Sequence, residues 1–482
     1  MTEEKLEEQI KKVAKLGVLE REQALSGLKD LTGIGITTLR KIIKNFGTEF
    51  NAYNVATDRI NKDSIITSES VDKIYYYKDG IYVEAEKQIS KKLQHKLKHE
   101  CSIQRVKEIL EHIKRETYKT EDEIFESNEN FICVENGLYN INKNEIIDFD
   151  KNKYFFNKIP VPFIKGADCP EFKTFLRRAC IKSNDIFSQE KYNTIQEFMG
   201  YCLEKGYPIH KILLIYGPSD TSKTQFMIIL QNMLGKDNHE SIFPQQLQKD
   251  NYVIMLYKMM ANIADEIPGG EIASARIKGL SGDSTTTGRE LFGKPFKFDN
   301  EAKLIFAGNK LPKLKDDDMD DDAIFNRPIF INFDNKILNT EMIKDYGKSV
   351  FEKEKSGILN FMIEGLKRLR KQKKFSSSKT WQENKETWMS QTEHIYQFFI
   401  ECNDVELKIG GNAPKTDLYE IYTEWCDNNG IQWLENNAFG RKIKCLFKGR
   451  VIDAQLTDKT GNKQQIHTWV GVNIKGGILD IV

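Results

Sequence analysis

Residues 212–234 read ILLIYGPSDTSKTQFMIILQNML, an unbroken apolar run, a short polar loop and a second apolar run with helical spacing. An apolar stretch without alternation is buried on both faces, as a central strand of a parallel sheet is. The helix that follows the loop then covers one face of that sheet. This junction restricts the surrounding chain to an α/β domain of strand–loop–helix units. The loop itself, GPSDTSKT, nearly spells the phosphate-binding pattern G-x-x-x-x-G-K-[ST]. Gly217, Lys223 and Thr224 are in register, but Ser222 stands where the pattern has its second glycine.

The loop predicts a set of ligands for ATP and Mg²⁺. Amides of Gly217, Pro218, Ser219, Asp220, Thr221 and Ser222, with the helix N-terminus behind them, would face the β- and γ-phosphates. Lys223 would reach those phosphates as a point charge, and the Thr224 hydroxyl would ligate the metal ion. Downstream, YKMMANIADEIP offers a strand ending in Asp265 and Glu266. Two adjacent acids there suit one metal-holding group, Asp265, and one water-orienting base, Glu266. KLIFAGNKLP is another apolar strand, ending in Asn309, a polar group placed to position a water beside a phosphate. DDDMDDDAIFNRPIFINF then places Arg327 just before one more apolar run. That arginine would pair with acids of its own subunit or act on a phosphate held by a neighbour. Taken singly, an acidic pair, an asparagine or an acidic loop after a strand is ordinary turn chemistry; their order behind the loop is what gives them meaning.

Composition narrows the partners. The 482 residues, 39% of them hydrophobic, suffice for several cores and three or more domains. Charged residues make up 30%, yet the net charge is +1, so nucleic acid would have to be held by local basic patches. The eight cysteines form no C-x-x-C pair, which argues against a zinc ribbon and against a secreted disulfide framework. His95, His99 and Cys101 lack a second ligand pair at zinc-finger spacing and read as a solvated helix. No apolar run approaches the roughly 20 residues that cross a bilayer. An intracellular, cytoplasmic protein without a membrane partner is expected.

Along the chain, residues 1–50 read as a small helical region. LKDLTGIGITTLRKIIKNFG has the layout of a helix-hairpin-helix, whose turn amides grip DNA phosphate; a plain helical bundle using glycine to turn tightly fits as well. From about residue 65 to 206 the pattern predicts an α+β and helical domain, opened by the KIYYYKDGIYV hairpin around Asp79-Gly80. Residues 207–345 alternate strand and helix. Residues 346–380 read as a helical linker ending in the basic, serine-containing run KRLRKQKKFSSSKT. Residues 381–482 read as helices followed by a basic hairpin, a winged-helix pattern. Arg441, Lys442, Lys444, Lys448 and Arg450 are its candidate DNA contacts, or else a solvated helix face.

In this order and at this spacing, the loop, acidic pair, Asn309 and Arg327 resemble the superfamily 3 helicases of viruses and plasmids, a branch of the AAA+ ATPases. IKGLSGDSTTTGRELFGKPFKFDNEAKLIFAGNKLP and DDAIFNRPIFINF are similar to the phage and poxvirus primase-helicase branch, which includes archaeal plasmid and virus replication proteins. ICVENGLYNI and NKIPVPFIKGADCPEFKTFLRRA resemble the domain that precedes the ATPase in that branch. The resemblance implies a homo-oligomeric ring, a hexamer, that hydrolyses ATP at subunit interfaces. One DNA strand is drawn through its centre, 3′ to 5′, with a primase or polymerase as partner. Asn309 would be the sensor and Arg327 a finger acting in trans. The family's pore hairpin precedes the sensor strand, so Arg289, Lys294 and Lys297, with Lys278 nearby, become candidates for gripping backbone phosphate.

Two departures stand out. Ser222 breaks the loop pattern, and no primase signature appears upstream, where about 70 residues are too few for a catalytic primase domain. The chain then either lacks priming activity or is a piece of a longer one. Other classes remain open at this point: a DNA-binding initiator with a decayed loop, which Ser222 favours, or another DNA-translocating ATPase.

Overall fold

Leu25, Leu28, Leu39 and Ile43 fall at helical spacing on either side of Gly33-Ile34-Gly35 and are all buried. They close α1 (Val18–Thr32) and α2 (Ile36–Phe46) into a helical hairpin. Gly33 sits at φ +68°, left-handed backbone that glycine adopts without steric cost. The computed structural model describes residues 8–10, 12–13, 16, 18–46, 51–98, 101–181, 186–268, 270–282, 285–289, 295–315, 321–337, 343–377, 379–457 and 465–475. The chain divides into two units, residues 1–77 with 83–120, and residues 78–82 with 121–482.

The first unit continues with α3 (Ala52–Lys62), whose N-cap Asn51 accepts from the Asn54 amide at 3.1 Å. Then come β1 (Ile65–Ser68), β2 (Lys73–Lys78), β3 (Ile81–Glu84), α4 (Glu86–Leu97), α5 (Ile103–Thr117) and β4 (Tyr118–Lys119). The sheet order is β3-β2-β1-β4. Asp79 and Gly80 both have positive φ, 50° and 93°, as a two-residue hairpin turn requires. Ala56, Ile74, Ile89, Leu93, Ile109 and Ile113 form the core.

The second unit opens with the antiparallel meander β5 (Phe131–Val134), β6 (Gly137–Asn140) and β7 (Glu145–Ile147). Helices α6 (Pro170–Ala179) and α7 (Gln189–Tyr201) follow. Next is the strand–loop–helix junction, β8 (Ile212–Tyr216) and α8 (Lys223–Leu234). Beyond it lie β9 (His239–Glu240), β10 (Ala261–Ala264), α9 (Ser274–Leu280), the hairpin β11 (Thr285–Arg289) and β12 (Pro295–Asp299), β13 (Lys303–Gly308) and β14 (Pro328–Asn332). Strands β14-β8-β13-β10-β9 make one parallel sheet in that order. The two-sided burial expected of β8 holds: Leu213 and Ile215 enter one core, Ile212 and Leu214 the other.

On the Leu213 side, α10 (Tyr346–Gln372) crosses α7 at glycine contacts. A Cβ on Gly365 would collide with the Gln196 carbonyl, and one on Gly200 with the Met362 carbonyl. The segment read as a linker is therefore a packed wall of this unit. Its basic run looked solvated in sequence because its acids lie far away in the chain. Arg368 Nε donates to the fully buried Glu197 at 2.7 Å, Arg370 Nε to Glu204 at 2.6 Å, and the Ser376 amide to Glu197 at 2.7 Å. The domain read as 65–206 is likewise divided, since residues 121–206 belong with the sheet.

On the other side, α11 (Trp381–Thr392) starts at a Thr380–Glu383 capping box and drives Trp388 under the sheet. The Trp388 indole donates to the Pro312 carbonyl at 2.8 Å, and Asn384 to the Phe325 carbonyl at 2.9 Å. The chain ends in α12 (His394–Glu401), β15 (Val405–Pro414), α13 (Lys415–Asn428), α14 (Asn436–Leu446), β16 (Ile452–Thr457) and β17 (Gln465–Ile474). Their sheet is antiparallel in the order β15-β17-β16. Tyr422 and Phe439 stack at 4.2 Å between centroids in the core of these elements. Among the described residues no helix is long and apolar enough to cross a membrane.

Candidate functional site

Parallel pairing brings the ends of three strands together. Tyr216 of β8 pairs with Gly308 of β13, and Phe306 of β13 with Ala264 of β10. Gly217, Asn309 and Asp265 each follow one of these strands, so all three lie along the carboxyl edge of the sheet. The chain leaves β8 for β9 on one flank, while β14 pairs on the other. Such a switch point opens a crevice, where α/β sheets hold ligands.

The loop in this crevice has special backbone. Gly217 has φ +143°, and a Cβ there would collide with the Phe333 carbonyl, so no other residue fits. Ser222 is left-handed, at φ 71° and ψ 17°, and forms the N-cap of α8 without a side-chain cap bond. This is the conformation the missing glycine would take freely; serine adopts it at about 1–2 kcal/mol. Asp220, φ 63°, accepts from the Ile337 amide at 2.8 Å through its carbonyl, which ties the loop to the segment after β14.

Lys223 is buried and folded back over the loop. Its Nζ donates to the Gly217 carbonyl at 2.8 Å and the Pro218 carbonyl at 2.6 Å. Burial lowers its pKa from the usual lysine range, against the opposing charges of Asp265 and Asp220. A buried ammonium held only by neutral carbonyls, beside the amides of a helix N-terminus, is a receptor for an anion. Asn309 Nδ2 reaches Ser219 Oγ at 3.4 Å, closing the loop's near side. Asp265 accepts from the Glu266 amide at 2.9 Å, and Glu266 itself stands at φ 54°. Strained backbone of this kind costs about 1–3 kcal/mol and gathers at working sites.

Thr224 is exposed on the first turn of α8, and Asp265 stands half-buried at the end of β10. Among the described residues no group of three or more His, Cys, Asp or Glu side chains could hold a metal. One hydroxyl and one carboxylate beside an anion receptor fit Mg²⁺, which keeps waters and draws its other ligands from phosphate. They do not fit a zinc site.

The cavity over the loop measures about 1060 Å³ and extends well beyond these groups. Its far wall carries Phe175 and Arg178 from α6, Ile337 and Ile343, and Tyr346 from α10. No local motif marks these residues, because the wall is built from helices before and after the sheet. Their signal in the sequence is only an apolar helix face.

Arg327 lies elsewhere. It precedes β14, and its carbonyl accepts from the Ile212 amide at 2.8 Å, at the amino edge of the sheet. Of the proposed phosphate-gripping cations, Arg289 and Lys297 share the exposed face of the β11–β12 hairpin, where Thr287 pairs with Lys297 and Arg289 with Pro295. Its other face is backed by Tyr257 against Phe296 and Phe298, with centroids 5.5 and 5.3 Å apart. Lys294 lies outside the described residues. Lys278 is instead bound to the Asp321 carboxylate.

The basic set of the C-terminal elements also divides. Lys442 pairs with the buried Glu393 at 3.3 Å, and Lys444 with Asp453 at 2.6 Å. These two are internal ties, a role the sequence conceals because both acids lie on other elements. Arg441, Lys448 and Arg450 remain exposed. His99 of the His–Cys cluster lies outside the described residues, and His95 is in α4.

Three family profiles match successive stretches of the chain. They are D5 N terminal like over residues 38–181, a family of unknown function (DUF5906) over 215–327, and poxvirus D5 protein-like over 390–469. No curated protein matches. Among solved structures, the A form apo structure of the NrS-1 C terminal region is 13% identical. It matches with a TM-score of 0.46, covering 87% of this chain and 98% of that one. A further apo structure of the same region is 12% identical, with a TM-score of 0.46, covering 88% of this chain and 100% of that one. The two D5-type profiles, one toward each end of the chain, support a place for it in the viral primase-helicase family of replication proteins.

Proposed function

We propose that this chain is an ATP-dependent DNA helicase of superfamily 3, with an AAA+ core, working as a hexameric ring in viral or plasmid replication. The observation that carries the reading is the joint placement of Lys223, Asp265 and Asn309 at one carboxyl edge, with Arg327 at the opposite edge of the same sheet. The first group makes a site for a nucleoside triphosphate. The arginine, too far away to serve that site, is placed to serve a neighbour's.

In this account the loop amides and Lys223 bind the β- and γ-phosphates, and Lys223 exchanges its carbonyl partners for phosphate oxygens. Thr224 and Asp265 would hold Mg²⁺, which neutralises charge developing on the phosphates. Glu266 takes a proton from the attacking water, and Asn309 orients that water against the γ-phosphate. Arg327 of the adjacent subunit stabilises the transition state. Arg289 and Lys297 hold the backbone of one DNA strand in the pore, where charge rather than base edges suits a motor that ignores sequence.

The order α12-β15-α13-α14-β16-β17 supports a winged-helix reading of the C-terminal elements. Exposed Arg441 on α14 and Lys448 and Arg450 behind it offer duplex contacts. The helical hairpin around Gly33 is an additional candidate for phosphate contact. The family's direction, 3′ to 5′, is adopted here, together with a primase or polymerase partner.

The test is ATP turnover with and without single-stranded DNA, together with assembly on DNA in a non-hydrolysable ATP analogue. Turnover stimulated by DNA and a closed ring are expected. A stable monomer under those conditions would remove the role given to Arg327.

A further inference from the structure

The cavity is far larger than three phosphates and a metal ion need, and its second end is chemically unlike its first. Phe175 of α6 and Tyr346 of α10 meet there with ring centroids 5.6 Å apart and planes tilted by 43°. Ile337 and Ile343 line the same end, and Ile343 is 63% exposed, an apolar side chain standing open at a cavity wall. The polar groups beside them are already used. Both bonds from the Asn335 amide nitrogen go to backbone, to the carbonyls of Arg178 and Ile181 at 2.9 Å each. The Thr174 hydroxyl donates to the Pro170 carbonyl at 2.8 Å.

We infer that Phe175 and Tyr346, with Ile337 and Ile343, form the seat of the nucleobase, which they recognise by stacking and apolar contact rather than by its hydrogen-bonding edge. This rests on the nucleotide-site reading and adds to it the groups that hold the other end of the ligand. Its physical basis is that a base offers two flat apolar faces to aromatic rings, a contact worth about 1–3 kcal/mol per base. The bond from the Ile337 amide to the Asp220 carbonyl fixes this seat relative to the phosphate loop. A second consequence concerns selectivity. A site that hydrogen-bonds its substrate rejects analogues by roughly 10⁴–10⁵, whereas an apolar pocket separates similar ligands by only about 10–200-fold. Adenine and guanine nucleotides therefore bind within about 100-fold of one another here.

Calorimetric titration of the full chain with ATP, GTP and tripolyphosphate, which has no base, tests the seat. Wild type is expected to bind ATP at least roughly tenfold more tightly than tripolyphosphate, as one stacked base implies. Phe175→Ala and Tyr346→Ala should erase most of that difference and leave tripolyphosphate affinity within about twofold, which also reports that the variants are folded. Tyr346→Phe should restore ATP affinity. ATP binding by both alanine variants at the wild-type level, or a preference for one purine beyond 10⁴, overturns the inference while leaving the phosphate site intact. If wild type binds neither ATP nor tripolyphosphate, the underlying nucleotide-site reading fails instead.

Discussion

Arg327 and Lys223 stand at opposite edges of one parallel sheet. The Arg327 carbonyl meets the Ile212 amide where β8 begins, and Lys223 lies past the loop where β8 ends. A five-residue strand at about 3.3 Å per residue sets their ends on the order of 15 Å apart, beyond the reach of one side chain. Arg327→Ala should therefore leave nucleotide affinity unchanged and reduce turnover by about 10³. Mixing Arg327→Ala with Lys223→Ala subunits should recover part of the activity, since some interfaces then combine an intact lysine with an intact arginine. Mixed assemblies as inactive as either parent would argue against action between subunits.

Ser222 tests the loop. Its left-handed backbone implies that Ser222→Gly relieves about 1 kcal/mol of strain, less the entropy glycine adds to the unfolded chain. Denaturant unfolding should show equal or higher stability, and nucleotide affinity should hold or rise. A marked loss of turnover in this variant would mean that the hydroxyl has a task of its own.

Glu266 tests the chemistry rather than the binding. Glu266→Gln keeps the size of the side chain and removes the base, so turnover should fall by about 10²–10⁴ while ATP affinity is retained. Parallel measurement of the dissociation constant and of kcat separates the two effects. An unchanged kcat would assign the base elsewhere.

The glycine crossing of α7 and α10 is a stability prediction. Gly365→Ala forces a Cβ into the Gln196 carbonyl, and the helices must separate. A loss of about 3 kcal/mol is expected from urea unfolding, at the upper end of overpacking costs. Gly33→Ala, where nothing crowds the added atom, should cost only the strain of its positive φ, about 1–2 kcal/mol.

On the β11–β12 hairpin, Lys297→Ala should weaken single-stranded DNA binding almost equally for all sequences. It should also lower the salt slope of binding by about one, as loss of one phosphate contact does. A slope equal to that of wild type would place Lys297 outside the DNA path.

What the sequence made legible was local. The strand–loop–helix junction, the Asp79-Gly80 turn and the acids after β10 depend on neighbouring residues, and all three fold as their patterns indicate. What it concealed depends on distant partners. The KRLRKQKK run has the composition of a solvated linker until Glu197 and Glu204 of an earlier segment are brought beside it. Lys442 and Lys444 look like DNA contacts until Glu393 and Asp453 engage them. Phe175 and Tyr346 are unmarked in any motif, because only the packing of α6 and α10 over the loop brings them to one wall.

The central claim is that ATP hydrolysis at GPSDTSKT drives DNA strands apart, and strand displacement tests it most directly. With Mg²⁺ and ATP, wild type should release a labelled strand from a partial duplex carrying a 3′ single-stranded tail, and Lys223→Ala should release none. Wild-type protein that hydrolyses ATP yet displaces no strand from substrates with either a 3′ or a 5′ tail would contradict the account.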